Sequence, residues 1–546
     1  MRRLGVLALL ASAAMPAAAQ DPFPSFEALE AAGAVIGEIR IRAQDVFDLD
    51  DPEEDNWLFR KANALHIQTR PSTLRRQLLF RSGERVSARV IAETERLLRG
   101  NDYLYRVEIR PTGYGDGIVD LEVVTRDSWT LQPAAKVSLA GGTSSGGVSL
   151  EEKNLLGTGA RFAIAARTTS EVSTAGGTRR GVDVDLSYPY AFDGRTTLGY
   201  GQSTFEEGSA RKARIDRPFY SLDARWAAGA AAARSDQIVD RYANGVVAAR
   251  YRQSVDSGHA LLGVSRGLVR GWAHRFSGGL RYQEETYRLE PGQAAPATLP
   301  ADRTLVAPFL RYEAVQDNFV ELRNLNSIAR PEYLALGWHA WIEIGRAAGG
   351  LGSTRSATLY SASLAKGTRI GGEGTLLAAA AVGGEYASGE TDRETLGASL
   401  RYYQRRGAHT LLFLSLAADA TDFSEATQFL SLGGEVGARG FPTNYQRGDR
   451  RVTFTAERRF YSDWFPFRLI RVGGAVFFDA GRAWGGPYQK LDEAAAQWAT
   501  GIGFGLRLLS ARSSSGTTAH VDLAFPLKRA SGVDAFQVSV QSKTGF

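Results

Sequence analysis

Residues Val182–Tyr190 read VDVDLSYPY, and the alternation within them decides the fold. Successive side chains of an extended strand point to opposite faces, so Val182, Val184, Leu186, Tyr188 and Tyr190 share one side and Asp183, Asp185 and Ser187 the other. The same rhythm returns in VTFTAE, where Val452, Phe454 and Ala456 oppose Thr453, Thr455 and Glu457. It returns again in FQVSVQ, where Phe536, Val538 and Val540 oppose Gln537, Ser539 and Gln541. With their flanks such segments reach the roughly 9 to 11 residues that a tilted membrane-crossing strand needs, and turn signals such as Asp193-Gly194 separate them. The repeated unit is a hairpin. A soluble sandwich or propeller would show the same period with its apolar face buried, so periodicity alone leaves both open.

Composition narrows the choice. The 546 residues include 60 Gly, 2 Met, no Cys and 10% aromatics, and a mean hydropathy of -0.22 is too low for a bundle of membrane helices. Beyond the N-terminus there is no run of 18 apolar residues. A formal net charge of +6 is modest, and no nucleic-acid partner is expected. Arg2 and Arg3 precede an apolar run from Leu4 to Ala14, and Ala17 and Ala19 form a small-residue cleavage pattern, so residues 1–19 read as a secretory signal peptide. Export, aromatics at the ends of apolar strand faces such as Tyr188 and Tyr190, and a terminal Phe546 favour a membrane barrel over a soluble fold. Dividing residues 134–546 into about 16 antiparallel strands leaves roughly 26 residues for each strand and its connection.

Before the barrel the pattern differs. Residues 20–34 read as a lead-in, with Ser25 to Ala32 as a short helical candidate. Ile39 and Ile41 alternate with charged neighbours as a half-buried strand. Pro71-Ser72 opens a helical stretch with Leu74, Leu78 and Leu79 on one face, ended by Ser82-Gly83, and Val90, Ile91, Thr94, Leu97 and Leu98 make a second helical stripe that stops at Gly100. Two strands follow, one carrying Tyr103, Tyr105, Val107 and Ile109, the other Val119, Leu121 and Val123. Residues 35–128 are therefore expected to form one small α+β module.

Four segments in order resemble the BamA/TamA superfamily of outer-membrane assembly and translocation barrels. The module, closing with RDSW at Arg126–Trp129, is similar to a single polypeptide-transport-associated (POTRA) domain. GGVSLEEKNLLGTG resembles the family's early strand, with Asn154, Leu155, Leu156, Gly157 and Gly159 as its ending. Arg439, Gly440 and Phe441, within GGEVGARGFPTNYQRGDRR, resemble the family's Arg-Gly-Phe motif, with Ala438 where Val or Ile is usual, and FFDAG at Phe477–Gly481 resembles its late-strand motif. The resemblance implies that this loop folds into the lumen and that Arg439 pairs with carboxylates on late strands. By strand parity those are Glu457 and Asp479, with Gly440 allowing a sharp turn and Phe441 packing on the wall. It also implies an outer-membrane location with the N-terminal domain in the periplasm. Its partners would be unfolded outer-membrane or secreted polypeptide clients, the lipid bilayer, and periplasmic accessory proteins held by the POTRA domain. First and last strands, near Lys136–Leu139 and Phe536–Phe546, would form a loose, laterally opening seam. The C-terminal pattern fits at Phe546, Val540 and Val538 but is polar at Thr544 and Ser542.

Other classes are weaker. A two-partner-secretion transporter would carry two such domains and a plug helix, and a passive pore has no use for a module or a latch. Gly142–Gly146 matches the G-x-S-x-G pattern of a barrel esterase but sits at a Gly/Ser-rich hairpin, where a nucleophile elbow needs strand, turn and helix. His66, His259, His274, His339, His409 and His520 lack ligand spacing, so no metal, cofactor or enzymatic activity is expected.

Overall fold

The computed structural model describes residues 23–140, 143–171, 179–243, 246–296, 298–387, 390–422, 429–434, 436–486, 497–513, 518–528 and 533–543. The expected signal peptide and the terminal Phe546 lie outside them.

Among the described residues the large sheet closes into a barrel of 20 antiparallel strands, running from Leu131–Ala140 to Gln537–Lys543, with the last beside the first. That is four more than the division into about 16 suggests. The reason lies in the connections: only residues 206–207 and 270–271 join their strands, and only 371–373 join another pair, so less chain is spent per hairpin than assumed. The alternation reads outward. Val182, Leu186, Ile502, Phe504, Leu506, Val538 and Val540 are 45% to 70% exposed, whereas Glu457, Asp479 and Asp522 are at most 2% exposed. A soluble sandwich would bury the first set; a wall of exposed aliphatic and aromatic side chains around a charged interior belongs to a cylinder immersed in lipid.

At the N-terminal end sits a small layered unit. It comprises α1 (Phe26–Ala31), β1 (Val35–Gln44), α2 (Trp57–Leu65), α3 (Pro71–Arg75), α4 (Ala88–Arg99), β2 (Leu104–Gly115) and β3 (Ile118–Asp127). The sheet order is β1-β3-β2, with β1 parallel and β2 antiparallel to β3. Leu29, Ile36, Leu74, Leu98, Val107, Val119, Leu121 and Val123 form its dry core. Because Leu29 belongs to that core, α1, capped by the Ser25 hydroxyl, packs into the module although it falls within the expected lead-in. The helix after Pro71 is shorter than its pattern predicts: it ends at Arg75, and Leu78 reaches the core from a turn. Helix α2 escapes pattern reading because Trp57, Leu58 and Leu65 stay exposed and only Phe59 is buried.

Candidate functional site

Between strands Thr410–Asp422 and Arg450–Tyr461, the described residues 429–434 and 436–449 fold into the barrel, braced by a two-stranded ladder of Leu430–Leu432 with Gln446–Gly448. Gln446, fully buried, ties it to the wall by accepting from Ala483 N at 2.9 Å and donating to Gln497 O at 2.7 Å. Arg439 at its tip is buried. Nε and Nη2 donate to the two carboxylate oxygens of Asp479 at 2.7 and 3.0 Å, a fork-on-fork geometry, while Nη1 reaches Asp522 at 3.0 Å and Glu457 at 3.3 Å. The guanidinium also lies over the Phe477 ring, 3.3 Å from its centroid.

Strand register brings these groups together. Thr455 pairs with Asp479 and Glu457 with Phe477 across one ladder; Asp479, Phe477 and Ala475 pair with Gly501, Gly503 and Gly505 across the next; Gly505 pairs with Asp522 across the third. All point inward. Two further cations complete the cluster: Arg459 donates to Glu457 at 3.0 Å, and Arg507 donates to Glu457 at 3.1 Å and to Asp522 at 2.5 Å. Three guanidinium groups thus meet three carboxylates, each residue 7% exposed or less, and Thr455 adds a hydroxyl to Asp479 at 2.9 Å. Charge balance and multiple hydrogen bonds are what make such burial tolerable.

Gly440 stands in the sharp turn expected, one closed by Phe441 N donating to the Ala438 carbonyl at 3.2 Å. Its backbone is not left-handed. Its need is space, since a Cβ there would lie 3.0 Å from Pro526 N and 3.2 Å from the Phe525 carbonyl carbon. Further bends before it are made by Gly433, Gly434 and Gly437, all at positive φ. Phe441 is buried with Leu432, Ala438, Ala483 and Ala499, its ring 4.7 Å from that of Tyr445.

Sequence reading missed Asp522, Arg459, Arg507 and Phe477 as members of the cluster. For two of them the signal was present at the parity of a neighbour assigned inward, Arg459 two residues after Glu457 and Phe477 two before Asp479. A second inward segment was not foreseen. Hairpin Phe319–Arg323 with Pro331–Ala335 enters the lumen from the module's end, its turn residues Leu325 and Ile328 packing on Tyr403, Leu411, Phe413, Tyr461 and Leu509. Glu332 gathers the turn by accepting from Leu325, Asn326 and Ser327 N. Arg459 donates to the Leu325 carbonyl, so the hairpin touches the charged cluster directly. Its other end meets α4, where Arg96 covers the Phe319 ring at 3.8 Å and Arg99 pairs with Glu321 at 3.0 Å.

Asn154, Leu155, Leu156, Gly157 and Gly159 are not brought to this cluster. They close a turn at the module's end of the barrel, where Asn154 donates to Thr69 at 2.8 Å and accepts from Gly159 N at 2.7 Å, and Gly157 O accepts from Arg70 N and Thr73. Gly157 and Gly159 are left-handed, and a Cβ on Gly157 would strike Gln68 O at 2.4 Å, so this motif joins module to barrel. Thr143–Gly146 of the G-x-S-x-G pattern lie within strand Thr143–Leu155 rather than at a strand-to-helix elbow, and Gly142 is outside the described residues.

Residues 154–545 match the model of the Omp85 superfamily domain, and the chain belongs to that superfamily. Members of the superfamily are outer-membrane transporters or assembly factors. Among solved structures, BamA from Haemophilus ducreyi lacking POTRA domains 1–3 is 13% identical, covering 93% of this chain and 85% of its own, with a TM-score of 0.38. CdiB from Escherichia coli is 15% identical over 93% of this chain and 75% of its own, with a TM-score of 0.48. CdiB from Acinetobacter baumannii is 12% identical over 94% and 74%, with a TM-score of 0.43. These are likenesses only. No curated protein matches the chain.

Proposed function

We propose that the protein inserts barrel polypeptides into the outer membrane at the seam between its first and last strands, and that passage of a secreted polypeptide is the second reading. Residues 1–19 are then a signal peptide, and the expected residues 35–128, joined by α1, a single POTRA domain in the periplasm, with the barrel starting at Leu131, three residues before the expected 134. Arg439, Gly440 and Phe441 act as a latch on Asp479 and Glu457, with Asp522 as a third partner. The observation that carries this reading is where the latch is fastened: Arg439 binds strands Arg450–Tyr461, Ile470–Trp484 and Thr518–Pro526 into one patch. That patch stops one strand short of the seam. A rigid wall beside a movable edge suits an edge that accepts a client strand by backbone hydrogen bonding. Insertion is favoured over passage because two inward segments occupy the lumen. A client threading the lumen would need both withdrawn, and one paired at the seam needs neither.

The test is Arg439→Ala in the full chain, with folding read by heat-modifiable gel mobility and activity by insertion of an unfolded barrel protein into vesicles carrying the variant. The expected result is a folded, membrane-embedded barrel with little insertion. Insertion at the unsubstituted rate would remove the latch from the mechanism. Cysteine pairs across the seam, in a chain that has no other cysteine, should stop insertion when oxidised and restore it when reduced.

A further inference from the structure

We propose that the junction of module and barrel rim binds an anionic phospholipid, its phosphate held by arginines in a cleft and one acyl chain lying in the adjoining groove of the outer wall. The cleft, about 660 Å³, is lined by Arg75, Arg76 and Arg81 from the module and by Arg195 and Arg217 from the rim. Its two carboxylates are already engaged, Asp193 by Arg217 at 2.6 Å and Asp223 by Arg89. Among the described residues Arg75, Arg76, Arg81 and Arg195 have no carboxylate within ion-pair distance. Arg75 donates to Ile39 O, Arg76 to Tyr188 OH and Tyr190 O, and Arg195 to Gln77 O and Leu78 O. Arg75, Arg76 and Arg81 are exposed and keep donors to spare. Four uncompensated guanidinium groups converge on one cleft, a setting for a phosphate.

The second observation is independent of charge. An apolar groove of about 620 Å³ runs along the lipid-facing wall, flanked by Phe192, Ile215, Leu262 and Leu280 over a floor that includes Gly229 and Gly278. Arg217 lines both this groove and the cleft. It is held between the rings of Trp226 at 3.7 Å and Tyr220 at 4.9 Å, an aromatic pair of the sort that marks the headgroup level. A free phosphate or an acidic peptide would use the cleft and leave the groove empty; a lipid fills both. A zwitterionic head would carry its own cation into a cleft already rich in cations, which favours an anionic one. Nothing here depends on the client reading, only on a barrel that spans a bilayer.

The experiment uses the full-length protein, delipidated in mild detergent and titrated with phosphatidylglycerol, phosphatidylethanolamine or inorganic phosphate, with bound lipid counted by native mass spectrometry. Phosphatidylglycerol should be retained in preference to the other two. Replacing Arg75, Arg76 and Arg81 together by Ala should weaken it roughly a hundredfold, about fivefold for each cation lost near an anionic surface, and Lys at all three should keep most of the affinity. Leu262→Trp, at an exposed position of the groove, should lower lipid retention with the arginines intact. Heat-modifiable mobility reports that each variant is folded. Equal binding of the two lipids, binding of phosphate alone with no lipid preference, or a triple variant that binds as before would each overturn the assignment.

Discussion

The protein has two interiors built on opposite principles. The module's is dry and apolar, with Leu29, Leu74, Leu98, Val119 and Leu121 almost wholly excluded from solvent. The lumen around Arg439 excludes solvent just as thoroughly but fills the space with three cations and three anions. The first is held by hydrophobic burial, which is additive and forgiving of small losses. The second is held by mutual compensation, where any one deletion strands a charge. A loop that must stay pinned yet remain releasable is better served by the second, because charge pairs can re-form with other partners and a methyl-filled core cannot.

That contrast can be broken most severely in the lumen. Asp479→Ala removes the bidentate partner of Arg439 and leaves three cations against two anions, at an expected cost of about 3 to 5 kcal/mol to the docked loop. The heat-modifiable band should convert at a markedly lower temperature, and an unchanged conversion would mean that water has replaced the carboxylate. Leu98→Ala, in the module, should cost about 2 to 5 kcal/mol by leaving a cavity. Hydrogen exchange on the intact protein should quicken in α4 and in the strands it packs on while barrel amides stay protected; loss throughout would show the two interiors to be one cooperative unit.

Asp127 is an exception within the module and sharpens the comparison. Burial raises its carboxyl to about 6 against an ordinary 3.8, although Thr69 N donates to it at 2.7 Å and the His66 ring lies 3.5 Å away. Below pH 3.8 the carboxyl is protonated whether the module is folded or not, so its burial then carries no charge. Between about 4 and 6 the unfolded chain loses the proton and the folded one keeps it, so stability falls as pH rises, by about 3 kcal/mol in all, and stays lower above 6. Asp127→Asn should flatten that fall; exchange rates in β3 compared between pH 4 and 7 measure it, and parallel profiles for the two proteins would refute it. The smallest effect belongs to the partly exposed pair of Arg99 with Glu321. Glu321→Gln, which leaves the bonds of Arg99 to Val107 O in place, should cost roughly 0.2 to 1 kcal/mol, seen as faster exchange of the hairpin amides alone.

How much of this the sequence carries follows from the same contrast. Strand parity is a local property, so Glu457 and Asp479 could be assigned to the inner face from their immediate neighbours. Arg507 and Asp522 had no neighbour assigned inward, and nothing local joins them to Arg439; their meeting depends on the register of three ladders. The strand total depended on connection lengths, which alternation does not encode where a tight turn such as 206–207 is as polar as the strands around it. The inward hairpin was illegible because the apolar residues that seat it, Leu325 and Ile328, stand in a turn where no period applies.

One consequence of that hairpin is electrical. With Phe319–Ala335 seated at the module's end of the lumen and the Arg439 loop folded in from the opposite rim, ions crossing a planar bilayer through a single molecule would meet two obstructions in series. The resting protein should be nearly silent in conductance recordings, and removing either segment should change the size of the current steps less than removing both.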